Sequence, residues 1–108
     1  VSMLFNGNGT IPTPDMMLAA TRALPDNSLL NVIGIGAAQF PMLAMAMILG
    51  HHVRVGLEDN VFYAPRELAQ GNGQMVERVV RLARELGRPI ATPEQARKMM
   101  GLGAPRAY

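Results

Sequence analysis

Hydrophobic positions along the chain come in two patterns: short unbroken runs, and longer stretches in which apolar residues return every three or four positions. The short runs predict strands near residues 3–6, 29–35 and 52–58. Met3-Leu4-Phe5 is stopped by Asn6-Gly7-Asn8-Gly9, a loop composition. Leu29 to Ile35 is apolar apart from Asn31, which suits a parallel strand covered on both faces, and Gly34-Ile35-Gly36 ends it. The spaced stretches predict helices. Thr13-Pro14-Asp15 supplies a capping hydroxyl, a proline and an acid in the order that starts a helix, which should stop at Leu24 before Pro25. A second helix opens at Pro41 and ends at Gly50. A third runs from about Gly71-Asn72 to Leu86, with Val76, Val79, Val80, Ala83 and Leu86 as its apolar stripe. Thr92-Pro93-Glu94-Gln95 is a capping box for a short last helix that should turn Ala96, Met99 and Met100 inward. After Asn60 the pattern predicts a loop with a helical turn near Pro65 to Leu68, and the tail through Tyr108 is expected to fray.

The third strand stands apart. In His52-Val-Arg-Val-Gly-Leu-Glu-Asp-Asn60, Val53, Val55 and Leu57 share one face of an extended chain. The other face holds Arg54, Gly56 and Glu58, and charges there must be paired or bound to something if they are enclosed. Arg54 and Glu58 lie about 13 Å apart along an ideal strand. The arginine stem spans much of that distance across Gly56, so these side chains are expected to converge at the strand end, with Asp59 turning in from the loop.

The order is a strand–helix unit three times over, then a terminal helix. Three parallel strands alone would leave two open edges and a charged inner face. A closed eight-stranded barrel removes both problems. The expected fold is therefore α/β, the last three βα units of a TIM (β/α)8 barrel plus a C-terminal helix. Residues 1–108 then form the C-terminal fragment of a single barrel domain, and the opening Val1-Ser2-Met3, with no initiator methionine, is a hint that something precedes them.

Composition narrows the partners. Without cysteine there is neither a disulfide framework nor a thiolate metal site, which is compatible with a reducing, cytoplasmic location. The net charge is only +2, and basic residues mostly sit beside acids, as in Glu77, Arg78, Arg81, Arg84 and Glu85. That is a solvated helix face and not a nucleic-acid footprint. The longest apolar run, Phe40 to Leu49, is shorter than the ~18 residues of a membrane span and contains Pro41. No signal-peptide pattern opens the sequence.

Gly50-His-His-Val-Arg-Val-Gly-Leu-Glu-Asp-Asn60 resembles the signature near the C-terminus of the β-keto acid cleavage enzymes, typified by the 3-keto-5-aminohexanoate cleavage enzyme of lysine fermentation. Val32-Ile-Gly-Ile-Gly36, Gln39-Phe-Pro-Met42, Gly87-Arg88 and Ala91-Thr-Pro93 follow the family's order as well. The resemblance implies a TIM barrel, a homo-oligomer, that binds zinc or another divalent metal. It would condense a β-keto acid with acetyl-CoA to give acetoacetate and a new CoA thioester by retro-Claisen cleavage. It implies that Glu58 is a metal ligand, beside a His-x-His pair from an early strand, and that Arg54 and Asp59 are a dyad activating the substrate. The chemistry is coherent. Cleaving a bond beside a ketone builds charge on oxygen, which a metal stabilises, and an arginine grips a carboxylate in two-pronged fashion. Two departures stand out. The His-x-His pair is missing, so the rest of the barrel is required. Ala37-Ala38 stands where members commonly carry larger polar residues, which implies altered substrate or CoA contacts.

Several residues have plainer explanations. His51 and His52 begin a strand and belong at the bottom of a barrel, away from chemistry. Asn8, Gly34 and Gly36 are weak candidates for substrate or CoA binding, because late βα loops of barrels often bind phosphates; tight turns explain the glycines equally well. Met42 to Met47 is core filling. For Arg54, Glu58 and Asp59 the competing explanation is a structural ion pair. At the level of the whole chain, the alternatives are a non-catalytic barrel fragment acting as an assembly partner, or a different TIM-barrel lyase or aldolase.

Overall fold

The computed structural model describes residues 1–104; the end of the tail expected to fray, 105–108, lies outside them. Its centre is a three-stranded parallel sheet of β1 (Ser2–Phe5), β2 (Asn31–Gly34) and β3 (His52–Arg54), in that order. Ser2 pairs with Asn31 and Asn31 with His52; two steps along, Leu4 pairs with Ile33 and Ile33 with Arg54. Parallel pairing puts partners on one face, so Leu4, Ile33 and Arg54 form one row and Ser2, Asn31 and His52 the row below.

The opposite face is covered by helices α1 (Pro14–Arg22), α2 (Gln39–Ile48) and α3 (Asn72–Glu85). Phe5 and Val32 from the sheet and Leu30 just before β2 are almost fully buried against Met17 of α1, Leu43 and Ala46 of α2, and Val79 and Ala83 of α3, with Met3, Val53 and Val55 packed at the margin. Leu4, by contrast, is 43% exposed and Arg54 is exposed. The sheet therefore has one face covered by α1–α3 and one that these three helices leave uncovered, where Ile33 is buried between Leu4 and the charged Arg54 of β3.

Local chemistry placed the helices well. Thr13 Oγ1 accepts from the Met16 amide at 3.4 Å, and Thr92 with Gln95 completes the capping box at α4 (Pro93–Met99). The chain enters α2 through a 3-10 turn at Gly36–Ala38, so that helix begins two residues before Pro41. At Gly34 a Cβ would lie 2.5 Å from Gln39 Cα and 2.9 Å from two carbonyl oxygens of the same turn. Backbone meets backbone there, and only glycine fits. Gly34→Ala is expected to destabilise the fold by about 1–3 kcal/mol, the usual range for overpacking. Gly56→Ala, which meets only the side-chain oxygen of Asn72 at 3.2 Å, should cost clearly less when the two are compared by thermal melting.

Four expectations change. The third strand is shorter than 52–58, because the chain turns at Leu57–Asp59. Residues 65–68 are not helical: β4 (Phe62–Ala64) and β5 (Glu67–Leu68) form a bulged antiparallel hairpin, held by Arg78, which donates to the Tyr63 carbonyl. The stripe of α3 is rotated toward Met75, Val79 and Ala83, leaving Val76 and Leu86 largely exposed. At the end of α4, Met99 and the capping Met100 are more than half exposed; with Ala96 they line an open cavity of about 690 Å³ under the N-terminal ends of the strands, instead of entering the core.

Candidate active site

Beyond Arg54, the strand gives way to a turn built on one carbonyl. Gly56 O accepts from the amides of Asp59 and Asn60, each at 3.2 Å, and from Gln39 Nε2 at 3.1 Å. Gln39 is almost completely buried, so this side chain bolts the start of α2 to the turn. Two more bonds hold it: the Leu57 amide donates to Asn72 Oδ1 at 2.8 Å, and the Gly36 amide donates to Asp59 O at 2.8 Å. The end of β3 is thereby fixed to the exit of β2 and to the first residue of α3.

The turn does what an extended strand would not. It brings residues 54, 58 and 59 together on the C-terminal side of the sheet, so that the Arg54 Nη2 group pairs with Glu58 Oε2 while its Nε lies 3.4 Å from Asp59 Oδ2. The expected convergence is present; its cause is the Gly56 turn, with Glu58 four residues on from Arg54 around the bend. The two carboxylates differ sharply. The Glu58 side chain is 82% exposed, whereas that of Asp59 is 6% exposed. Asp59 Oδ2 is buried without a hydrogen-bond donor, and leaving such an atom unsatisfied costs about 1–3 kcal/mol. The nearby guanidinium offsets this cost by charge alone. One buried acceptor, one positive group and one exposed carboxylate thus share the open face.

The remaining candidates separate. Gly34 is buried and explained by packing. Gly36 has φ of +57° and open space above it. Asn8 is exposed in the turn after β1, its amide donating to Asn6 Oδ1 at 3.0 Å. His51 and His52 lie at the opposite end of β3 from Glu58. His51 is hydrogen-bonded to Thr21 Oγ1 at 2.7 Å, and Arg88 donates to the carbonyls of Met47 and His51 at 2.8 and 2.9 Å. Among the described residues, no three His, Cys, Asp or Glu side chains gather as a metal-binding group. These residues alone do not fit a metal centre; Glu58 could serve only as one donor of a larger set.

Residues 2–102 match the family described as beta-keto acid cleavage enzyme. The chain belongs to that family. The 3-keto-5-aminohexanoate cleavage enzyme of Acetoanaerobium sticklandii is 48% identical to it over 94 residues, which is 87% of this chain and 34% of that protein. The enzyme of the same name from Fusobacterium nucleatum is 52% identical over 82 residues, 76% of this chain and 30% of that protein. The 3-oxoadipate:acetyl-CoA acetyltransferase of Cupriavidus necator is 46% identical over 69 residues, 64% of this chain and 24% of that protein. This β-keto acid cleavage family chain thus spans about a third of the length of the curated relatives it matches.

Two positions gain meaning in this family member that the sequence did not disclose. Gln39 read only as part of the Gln39-Phe-Pro-Met42 run and Asn72 only as the start of the third helix, yet both carry bonds that shape the turn at Glu58 and Asp59. No spacing signal marks them, because their partners are backbone groups 17 and 15 residues away.

His51 has a consequence for stability. Burial lowers its pKa below the usual 6.5, with the charges of Arg88 and His52 adding to the effect. The folded state therefore binds a proton less readily than the unfolded chain. Stability should be fully present above about pH 6.5 and should decline as pH falls from there toward the lowered folded pKa. His51→Gln should flatten that part of the profile in denaturant melts at stepped pH.

Proposed function

We propose that residues 1–108 are the C-terminal part of a metal-dependent β-keto acid cleavage enzyme whose preceding strands close the sheet into a (β/α)8 barrel. The reaction is R-CO-CH2-COO⁻ plus acetyl-CoA giving acetoacetate plus R-CO-CoA. The bond between the keto carbon and the methylene carbon breaks; the acetyl group takes its place on the methylene carbon, and the R-CO acyl group passes to CoA sulfur. Arg54 and Asp59 are assigned to substrate activation and Glu58 to metal ligation, with the other donors supplied by strands outside these residues.

The observation that carries this proposal is the joining of Arg54, Glu58 and Asp59 at the C-terminal end of a parallel strand, on the sheet face that α1–α3 leave uncovered, in a chain of this family. Barrel enzymes keep their chemistry at that end. Arg54 has the shape to hold a keto acid's carboxylate through two parallel bonds. Its pairing with exposed Glu58 is an easily broken contact, since surface ion pairs contribute about 0.2–1 kcal/mol. A substrate carboxylate can therefore replace Glu58 on the guanidinium while buried Asp59 continues to hold it from behind. Asn8 and Gly36, at the ends of the neighbouring strands, are assigned to contacts with substrate or CoA. Gly34 serves the packing beneath them.

The 108 residues by themselves bring one donor for the proposed metal, so the isolated chain is expected to be inactive and the complete barrel active. Acetoacetate release from a panel of β-keto acids, with and without acetyl-CoA, tests the assignment in the full-length protein. Acetyl-CoA-dependent turnover supports it. Stoichiometric metal and turnover in residues 1–108 alone would sink the fragment assignment.

A further inference from the structure

A cavity of about 420 Å³ opens beside the cluster just described, between the 3-10 turn of residues 36–38, the β4–β5 hairpin and α3. Its size lies within the ordinary range of about 300–1,000 Å³ for a small-molecule site. Gly36 and Asn60 form the wall on the Asp59 side, and the Gly36 amide bonded to Asp59 O makes that wall continuous with the charged turn. The floor is aromatic: the Arg78 guanidinium lies 3.7 Å from the Phe40 ring centroid and 4.6 Å from that of Tyr63. Phe62, 46% exposed, and Arg66 stand at the rim.

The charge here is unbalanced. Arg66 and Arg78 line the cavity, and Arg81, outside its lining, donates to the Tyr63 hydroxyl at 3.0 Å. Among the described residues none of the three forms an ion pair; both carboxylate contacts in the structure belong to Arg54. Arg66 also sits at φ of +66°, a backbone conformation where glycine or asparagine would be easier. Flat rings below and the unpaired Arg66 guanidinium at the edge suit a ligand with a planar, stackable body and a negatively charged group. A β-keto acid has no such body, and the pantetheine arm of an acyl-CoA has no charge.

We propose that this cavity holds the nucleotide end of the acyl-CoA, the base lying against the Phe62–Tyr63 edge and its phosphates facing Arg66, so that the thioester arm reaches past Asn60 to Arg54 and Asp59. The proposal rests on the acetyl-CoA-dependent function given above. Ala37 acquires a role in it. This exposed residue lines the cavity, while Ala38 packs against the core, so the small side chain at 37 helps to keep the space open.

Arg66→Gly is the informative substitution, because glycine accepts the positive φ without strain, so that loss of the arginine side chain is not confounded with a backbone change. In the full-length protein, equilibrium dialysis should show acetyl-CoA binding weakened roughly tenfold, the effect of losing one charge-assisted contact. The KM for acetyl-CoA should rise in step, with kcat and the KM for the keto acid unchanged. Acetyl-pantetheine, which lacks the nucleotide, should bind wild type and variant equally. Ala37→Leu should weaken acetyl-CoA and spare acetyl-pantetheine in the same way. Acetyl-CoA binding that ignores both substitutions overturns the cavity assignment and leaves the enzymatic function standing. Adenosine 3′,5′-bisphosphate binding more tightly than acetyl-CoA would assign the cavity to a separate nucleotide and overturn it too. No acetyl-CoA binding by the wild-type protein overturns the function itself.

Discussion

Arg54→Met in the full-length protein is expected to lower kcat/KM for the β-keto acid roughly 10²–10³-fold, the effect of removing one preorganised charged donor from a reacting site. Arg54→Lys should recover little, because an ammonium offers a point charge where a planar fork is needed. The structure also supplies the control that separates chemistry from folding. Arg54 is the cation nearest to buried Asp59, whose Oδ2 has no hydrogen bond to fall back on. Removing the arginine therefore costs stability as well, on the order of 1–3 kcal/mol for an uncompensated buried acceptor. The double variant Arg54→Met/Asp59→Asn removes the buried charge along with its partner. It should regain much of the lost stability in a thermal melt and none of the lost turnover. If the pair were merely structural, the double variant would be both stable and active.

That distinction matters because the sequence alone allowed both explanations. Elements held by local rules were legible: Thr13-Pro14 and Thr92-Pro93 start helices through bonds made within three residues, and the Gly56 gap between Arg54 and Glu58 was visible as spacing. Features that rest on distant partners were not. The β4–β5 hairpin carries Phe62-Tyr63, a pair with strand preference, but Pro65 and the short arms hid it until Arg78 supplied the missing anchor from α3. Met75 is buried in place of Val76 because α3 is rotated as it packs on α2, and a periodic pattern alone does not fix that rotation. The candidate site was half legible. Its three charged residues could be named, but the turn that collects them is made by Gln39, Asn72 and Gly36, each reaching backbone far along the chain. The cavity beside it belongs wholly to this long-range class.

Glu58→Gln should strip the complete protein of its proposed metal while leaving the fold untouched. The side chain is 82% exposed and contacts only Arg54, so its exchange for an amide of the same shape removes a surface ion pair and nothing from the core. A direct donor is another matter. Loss of an outer partner of a metal ligand already costs about 10–100-fold in affinity, so loss of the ligand itself should exceed that. Metal content after dialysis, measured by elemental analysis, should fall from stoichiometric to near zero, with the melting temperature of the metal-free form unchanged. His52→Gln is the matched control: it lies in the Ser2–Asn31–His52 row at the other end of the sheet and should leave the metal content as it was. Full metal retention in Glu58→Gln would remove Glu58 from the ligand set. Its carboxylate would then be left with the role the structure already displays, that of an ion-pair partner for the Arg54 guanidinium.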